Sequence, residues 1–253
     1  IIRSHGVTPD VYRTCEARGI PVIDATCPHV AHIHQLVEQY SGNGDAVVIV
    51  GEADHPEVIG IAGWAHGKVF ILPDAQAAEE AEKRAKEEEK QRIADLASRF
   101  LSNSSNYFFD SSSTVSFLAL KLRDYLDVRI ATNGLGILSS LSSSENLVVL
   151  SSGGYLRSPY DEFTGNLAVQ CISNMNADTF FFSCAGFSAS QGAMELSDEN
   201  VAVKRAFFKK SKQHILLCDS SKFDREFFFN SFNISELDYV VTDRKPANSL
   251  YIE

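Results

Sequence analysis

The 253 residues are 44% hydrophobic, enough for one large or two small folded domains. A formal net charge of -10 argues against a nucleic-acid-binding surface, which needs clustered Lys and Arg. No apolar run approaches the roughly 18 residues of a membrane helix, and Ile1–His5 lacks the cationic start and apolar core of a secretion signal.

Without an initiator Met, the expectation is a chain that begins partway through something longer. Cys15, Cys27, Cys171, Cys184 and Cys218 are odd in number and irregular in spacing, which predicts reduced thiols and a cytoplasmic location. Three of them adjoin apolar strand-like runs and read as small buried residues.

Short runs rich in Val, Ile or Phe predict buried parallel strands at Pro21–Asp24, Ala46–Val50, Val69–Leu72, Tyr107–Asp110, Val128–Ala131, Leu147–Leu150, Thr179–Phe182, Ile215–Cys218 and Tyr239–Thr242. Helical patterns lie between most of them, at Val30–Tyr40, Thr114–Leu126 and Glu199–Ser211, so the fold class is α/β. In the last helix Val201, Val203, Ala206 and Phe207 are expected to pack while Lys204, Arg205, Lys209 and Lys210 face solvent. One long helical pattern, Ala75–Leu101, breaks the rhythm. Glu79–Lys83, Glu80–Arg84 and Glu82–Lys86 at i,i+4 support an exposed first half. Ile93, Leu96, Ala97, Phe100 and Leu101 form a docking stripe on the second. The organisation is therefore a segment 1–74, a charged helical connector 75–90 and a domain 91–253.

Before the connector, Cys27 follows a predicted strand and precedes a helix that Pro28 is suited to open. A thiol there is a good metal ligand or nucleophile. His5, His55 and Glu57 are placed at strand ends, where histidines can bind phosphate and a carboxylate can relay protons. The other reading of each His is an ordinary loop residue. His29, His32 and His34 follow no usual structural-zinc spacing.

Together RSHGV, VIDATCP and HPEVIGIAGW, spread over Ile1–Leu72, resemble hydroxymethylbutenyl diphosphate reductase (LytB/IspH), an iron–sulfur enzyme of isoprenoid synthesis. The resemblance implies that Cys27 is one of three cluster-ligating cysteines, that His5 and His55 contact the substrate diphosphate, and that Glu57 serves the proton relay. The other cluster cysteines and the Ser-x-Asn substrate motif have no counterpart here, and one thiolate cannot hold a cluster that needs three. The expectation is an inactive remnant with no cofactor of its own, an iron–sulfur cluster forming only if missing ligands are supplied.

After the connector, Asp110-Ser111-Ser112-Ser113-Thr114 leaves a strand and opens a helix, a turn that can cradle phosphate or simply cap the helix. Thr132-Asn133-Gly134 and Gly153-Gly154 follow the next two strands, glycine permitting positive φ and close approach of a ligand, or just a turn. Asp219 and Lys222 follow Ile215–Cys218, where a carboxylate can accept sugar hydroxyls and an ammonium can pair with phosphate.

In this order DSSST, TNG, GGYLR, GNLA, SDENVAVKRAFFKKS, DSSKF and VVTD resemble the C-terminal effector domain of DeoR-type transcriptional regulators, over residues 88–253. The resemblance implies mainly parallel sheets and a Rossmann-like domain as in sugar-phosphate isomerases. It implies that a phosphorylated sugar is bound without conversion, Asp110, Ser113 and Thr114 lying at the phosphate turn and Asp219 and Lys222 contacting the effector; Asn133 and Gly153 are counted with them as effector-binding residues. It further implies oligomerisation and coupling of ligand to operator release. No recognition-helix pattern appears in the sequence, so no direct DNA contact is expected, and the closing RKPANSLYIE is atypical. Three readings follow: a sugar-phosphate sensor with an inert appendage, a reductase completed by other chains, or a join of two incomplete genes.

Overall fold

The computed structural model describes residues 1–43 and 45–246; Gly44 and, of the closing RKPANSLYIE stretch, residues 247–253 lie outside the described residues. The chain divides into two units, Ile1–Ala85 and Lys86–Glu253.

The first unit contains α1 (Pro9–Ala17), α2 (Pro28–Gly42), β1 (Val47–Val50), α3 (Pro56–Ala62), β2 (Val69–Leu72) and the front of α4 (Ala75–Ala97). Each of the first three helices opens on proline, whose missing N–H costs nothing there. β1 and β2 pair in parallel, Val47 opposite Val69. The strand expected at Pro21–Asp24 does not form: Ile2 and Asp24 make one isolated bridge. Val22 and Ile23 are exposed, and among the described residues no neighbouring strand completes a ladder with them.

His34 of α2 is 4% exposed and stacks on Trp64 with ring centroids 5.1 Å apart. Its Nε2 has no hydrogen-bond partner among the described residues. Burial pushes the imidazole below its usual value of 6.5, with Asp24 and Glu57 opposing the shift. The fold therefore holds the neutral ring. Stability is full above the unfolded-state value and is lost as pH falls through it toward the lower folded value. Trp64 is the one tryptophan, so its fluorescence should report a unit whose stability declines as pH falls below the usual imidazole value of 6.5. His34→Phe should flatten that slope; an equally steep slope in the variant would assign it to another group.

The second unit begins with the end of α4 and a 3-10 turn Ser98–Phe100. It continues through β3 (Asn106–Phe109), α5 (Ser113–Lys121), β4 (Val128–Thr132), α6 (Leu135–Leu141), β5 (Leu147–Ser151), β6 (Tyr155–Arg157), β7 (Glu162–Thr164) and α7 (Asn166–Ser173). Then follow β8 (Ala177–Phe182), β9 (Gly186–Ser188), β10 (Gly192–Glu195), α8 (Asp198–Lys209), β11 (Ser211–Leu217), β12 (Phe229–Phe232) and β13 (Tyr239–Val241). Six strands form one sheet in the order β13-β11-β8-β3-β4-β5, every neighbouring pair parallel. The first strand of the sheet, β3, lies at its centre beside the fourth, β8. The winding reverses between them, which makes the sheet doubly wound.

Successive side chains of a strand point to opposite faces. Tyr107 and Phe109 join Ile93, Ala97, Val115, Leu118, Ile137 and Leu141 in one core layer. Phe108 joins Ala168, Ile172, Val203 and Phe207 in the other. Continuous apolar strands are what a sheet covered on both faces requires.

Three expected helices are trimmed. The long helix ends at Ala97, and Leu96, assigned to the docking stripe, is 42% exposed while Ala94 takes its place in the core. The helix expected at Thr114–Leu126 stops at Lys121. The Asn146 amide donates to the carbonyls of Arg123 and Tyr125, so they are used outside a helix. α8 ends before Ser211, which bonds back to the carbonyls of Phe207 and Phe208 and opens β11.

Of the five thiols, Cys184 and Cys218 are buried and the other three are half-buried, so two and not three are core residues. Among the described residues no helix is long and apolar enough to cross a membrane.

Candidate functional site

Polar groups converge at the carboxyl ends of β3, β8 and β11, on the point where the winding reverses. Asp110, one residue past β3, is 0% exposed. Its Oδ1 accepts a hydrogen bond from the Ser112 N–H at 3.0 Å, and its Oδ2 one from the Ser183 N–H, just past β8, at 2.9 Å. The same Oδ2 lies 3.0 Å from Lys204 Nζ. Lys204, on α8, donates to the Ser183 carbonyl at 2.7 Å and to Glu195 Oε1 at 2.5 Å. Burial opposes the Lys204 charge, but Glu195 and Asp110 outweigh it and raise its pKa. Burial raises that of Glu195.

Lys222 extends this cluster toward solvent. Its Nζ donates to Ser183 Oγ at 2.9 Å and lies 3.5 Å from Asp219 Oδ2. Asp219 caps a short turn by accepting from the Ser221 N–H and hydroxyl. Although burial works against ionisation, those bonds and Lys222 keep its carboxyl below the usual range. Asp243, past β13, accepts from the Ser220 N–H at 2.6 Å and fixes the same turn. Lys90 of α4 joins from the side: burial lowers its pKa, and the Lys222 charge lowers it further.

The neighbouring turn begins at Ser112, whose hydroxyl accepts from the Val115 N–H. Ser113, exposed, occupies the first position of α5, where helical N–H groups lack intrahelical acceptors. Thr114 and Asn133 are buried; Asn133 donates to the Phe163 carbonyl, and among the described residues Thr114 Oγ1 and Asn133 Oδ1 have no partner. A Cβ at Gly134 would come 2.9 Å from the Ser111 Cα, so the loop after β4 presses backbone to backbone on the serine turn. Gly134→Ala is expected to lower stability by about 1–3 kcal/mol in a thermal melt. An unchanged melting temperature would mean the two turns do not depend on each other. Gly153 has φ +65° and open space where a Cβ would be. Among the described residues the bonds joining Asp110, Ser183, Lys204, Asp219 and Lys222 do not reach it.

Asp110, Asp219 and Lys222 are thus brought into one network, with Ser113 and Thr114 beginning the helix beside it. Ser183, Glu195, Lys90 and Lys204 were not read as site residues from sequence. Lys204, expected to face solvent, is 6% exposed. It lies one residue after Val203 and three before Phe207, on the face that packs, and that spacing was the available signal.

In the first unit His5 Nδ1 lies 3.5 Å from Glu57 Oε2, and the rings of His5 and His55 meet edge to face at 6.1 Å. His55 caps α3 by accepting from the Glu57 N–H. His55 and Glu57 line a cleft of about 340 Å³. Cys27 adjoins this cluster through a hydrogen bond from its N–H to the Ser4 carbonyl. Among the described residues no group of three His, Cys, Asp or Glu is disposed to hold a metal ion. Cys27 offers a single thiolate, so the residues present do not fit an iron–sulfur cluster.

A doubly wound, all-parallel six-stranded sheet with a charged cluster at its switch point places the second unit among α/β domains of Rossmann type. Residues 85–244 match the family described as DeoR C terminal sensor domain, and residues 1–112 match the LytB protein family. The chain belongs to the DeoR C-terminal sensor domain family, with a LytB-like segment before it. It is 31% identical over 168 residues to the glycerol-3-phosphate regulon repressor of Escherichia coli, covering 66% of this chain and 67% of that protein. It is 44% identical over 79 residues to 4-hydroxy-3-methylbut-2-enyl diphosphate reductase of Caldanaerobacter subterraneus, covering 31% of this chain and only 27% of that enzyme. The crystal structure of eIF2B delta from Chaetomium thermophilum shares the fold at TM-score 0.52 and 15% identity, over 94% of this chain and 77% of that one.

Proposed function

We propose that the second unit binds a phosphorylated sugar at the switch point without converting it, and serves as the sensor of a transcriptional regulator while making no DNA contact itself. The observation that carries this reading is the Lys222 ammonium, held by Ser183 and Asp219 beside the opening of α5. Lys222 and the first N–H groups of α5 take the phosphate. Asp219 accepts sugar hydroxyls, and Lys90 adds a second positive charge. Asp110, wholly buried, organises the turn and does not touch ligand. Asn133 Oδ1 and Thr114 Oγ1 are buried polar atoms that a ligand or water can satisfy.

Binding without conversion fits the same geometry. Isomerising a sugar needs a base free to reach a carbon-bound proton, whereas Asp110 and Glu195 are engaged by Lys204. Sensor domains of this family take sugar phosphates, and the Escherichia coli relative is named for glycerol 3-phosphate. Isothermal titration with glycerol 3-phosphate and a panel of hexose and pentose phosphates tests the proposal. At least one should bind while its unphosphorylated parent does not. Equal binding of parent and phosphate would remove the role given to Lys222.

A further inference from the structure

Cys184 and Cys218 stand two residues past Phe182 and Leu216, the last laddered pair of β8 and β11. Their Sγ atoms are 3.8 Å apart and both side chains are buried. Neighbouring strands lie about 4.7–4.9 Å apart, inside the Cα separation of roughly 4.4–6.8 Å that a disulfide spans. Each thiol also adjoins a group that holds Lys222: Cys184 follows Ser183, and Cys218 precedes Asp219.

We propose that Cys184 and Cys218 are a reversible oxidation site whose disulfide weakens ligand binding at the adjoining switch point. The oxidant is a small-molecule disulfide. Cys184, the less buried of the two, attacks one of its sulfurs as the thiolate and expels one thiolate. Cys218 loses its proton and attacks the Cys184 sulfur of the mixed disulfide, expelling the second. Two protein thiols are oxidised, one small disulfide is reduced to two thiols, and the two protons end on them. The hydrogen bond with Cys184, with burial, raises the Cys218 pKa well above its usual value, which protects the resting dithiol. Closing the sulfurs to about 2.05 Å draws Ser183 and Asp219 together and displaces both anchors of the Lys222 ammonium.

The test treats the full chain with oxidised glutathione, alkylates residual thiols, unfolds it and maps the peptides by mass spectrometry. The expected result is a linked Cys184–Cys218 pair that dithiothreitol releases. Recovery of both cysteines alkylated only after unfolding, while half-buried Cys15, Cys27 or Cys171 have reacted, overturns the site. The link is read on the unaltered chain without ligand, so it stands apart from the sugar-phosphate reading; the effect on affinity rests on that reading. Oxidised chain should bind its sugar phosphate at least about tenfold more weakly, a loss of about 1.4 kcal/mol, and Cys184→Ser should be insensitive to oxidant. A link with unchanged affinity overturns the switch. Failure of the reduced chain to bind any sugar phosphate overturns the sugar-phosphate reading instead, leaving the oxidation site to be judged by the peptide map.

Discussion

Lys204→Met is expected to destabilise the second unit by about 3–5 kcal/mol, since removing one member of a buried ion cluster strands the others without solvent or partner. Here the stranded groups are Asp110 and Glu195, both within 3.0 Å of the ammonium in the intact protein. The loss should depend on pH in a stated direction. With its cation gone, a buried carboxylate has a folded-state pKa above its unfolded value. Its neutral form then contributes stability at acid pH that disappears as pH rises through the folded value. The variant should therefore lie nearer the wild type at about pH 5 than at about pH 8, and Glu195→Gln in the same chain should recover part of the difference. Urea unfolding at both pH values measures this. A loss under about 1 kcal/mol at both would show that the cluster is solvated.

Lys222→Ala has the opposite profile, little effect on folding and a large one on binding. Its ion pair with Asp219 is partly exposed, and such pairs contribute at most about 1 kcal/mol. A charge-assisted hydrogen bond to phosphate is worth roughly 1.5–3 kcal/mol, so the dissociation constant should rise about 10- to 100-fold. Lys90→Ala should show a smaller rise, because Lys90 is linked to Lys222 and Asp219 through charge alone. Unchanged affinity in Lys222→Ala would move the phosphate elsewhere in the crevice.

The centre of the sheet was readable in the sequence because its strands are buried on both faces. Runs such as Tyr107–Phe109 and Thr179–Phe182 stay apolar where a half-exposed strand would alternate. The antiparallel pieces were not readable. Gly186–Ser188, Gly192–Glu195 and Phe229–Phe232 carry no periodic signal, and β12 reaches β10 only after α8 and β11 have intervened. Val22 and Ile23 show the reverse error, an apolar run with no strand beside it to pair with. Asp219 and Lys222 were visible because a short polar turn follows a buried strand. Ser183, Glu195 and Lys204 were not, because their roles come from contacts between elements distant in the chain. Charge predicts solvent at Lys204, yet its spacing from Val203 and Phe207 places it on the packing face.

The central claim is that the second unit recognises the phosphate of a sugar. Thermal unfolding of the reduced, anaerobically handled chain against sugar phosphates and their unphosphorylated parents, with the visible spectrum recorded on the same samples, addresses it most directly. At ligand about 100 times the dissociation constant, stabilisation should be about 2.7 kcal/mol, seen with a phosphorylated compound, absent with its parent and cut to about 0.4–1.4 kcal/mol at the same concentration in Lys222→Ala. A melt that no phosphorylated sugar shifts, or visible absorption that disappears in Cys27→Ser, would contradict the account.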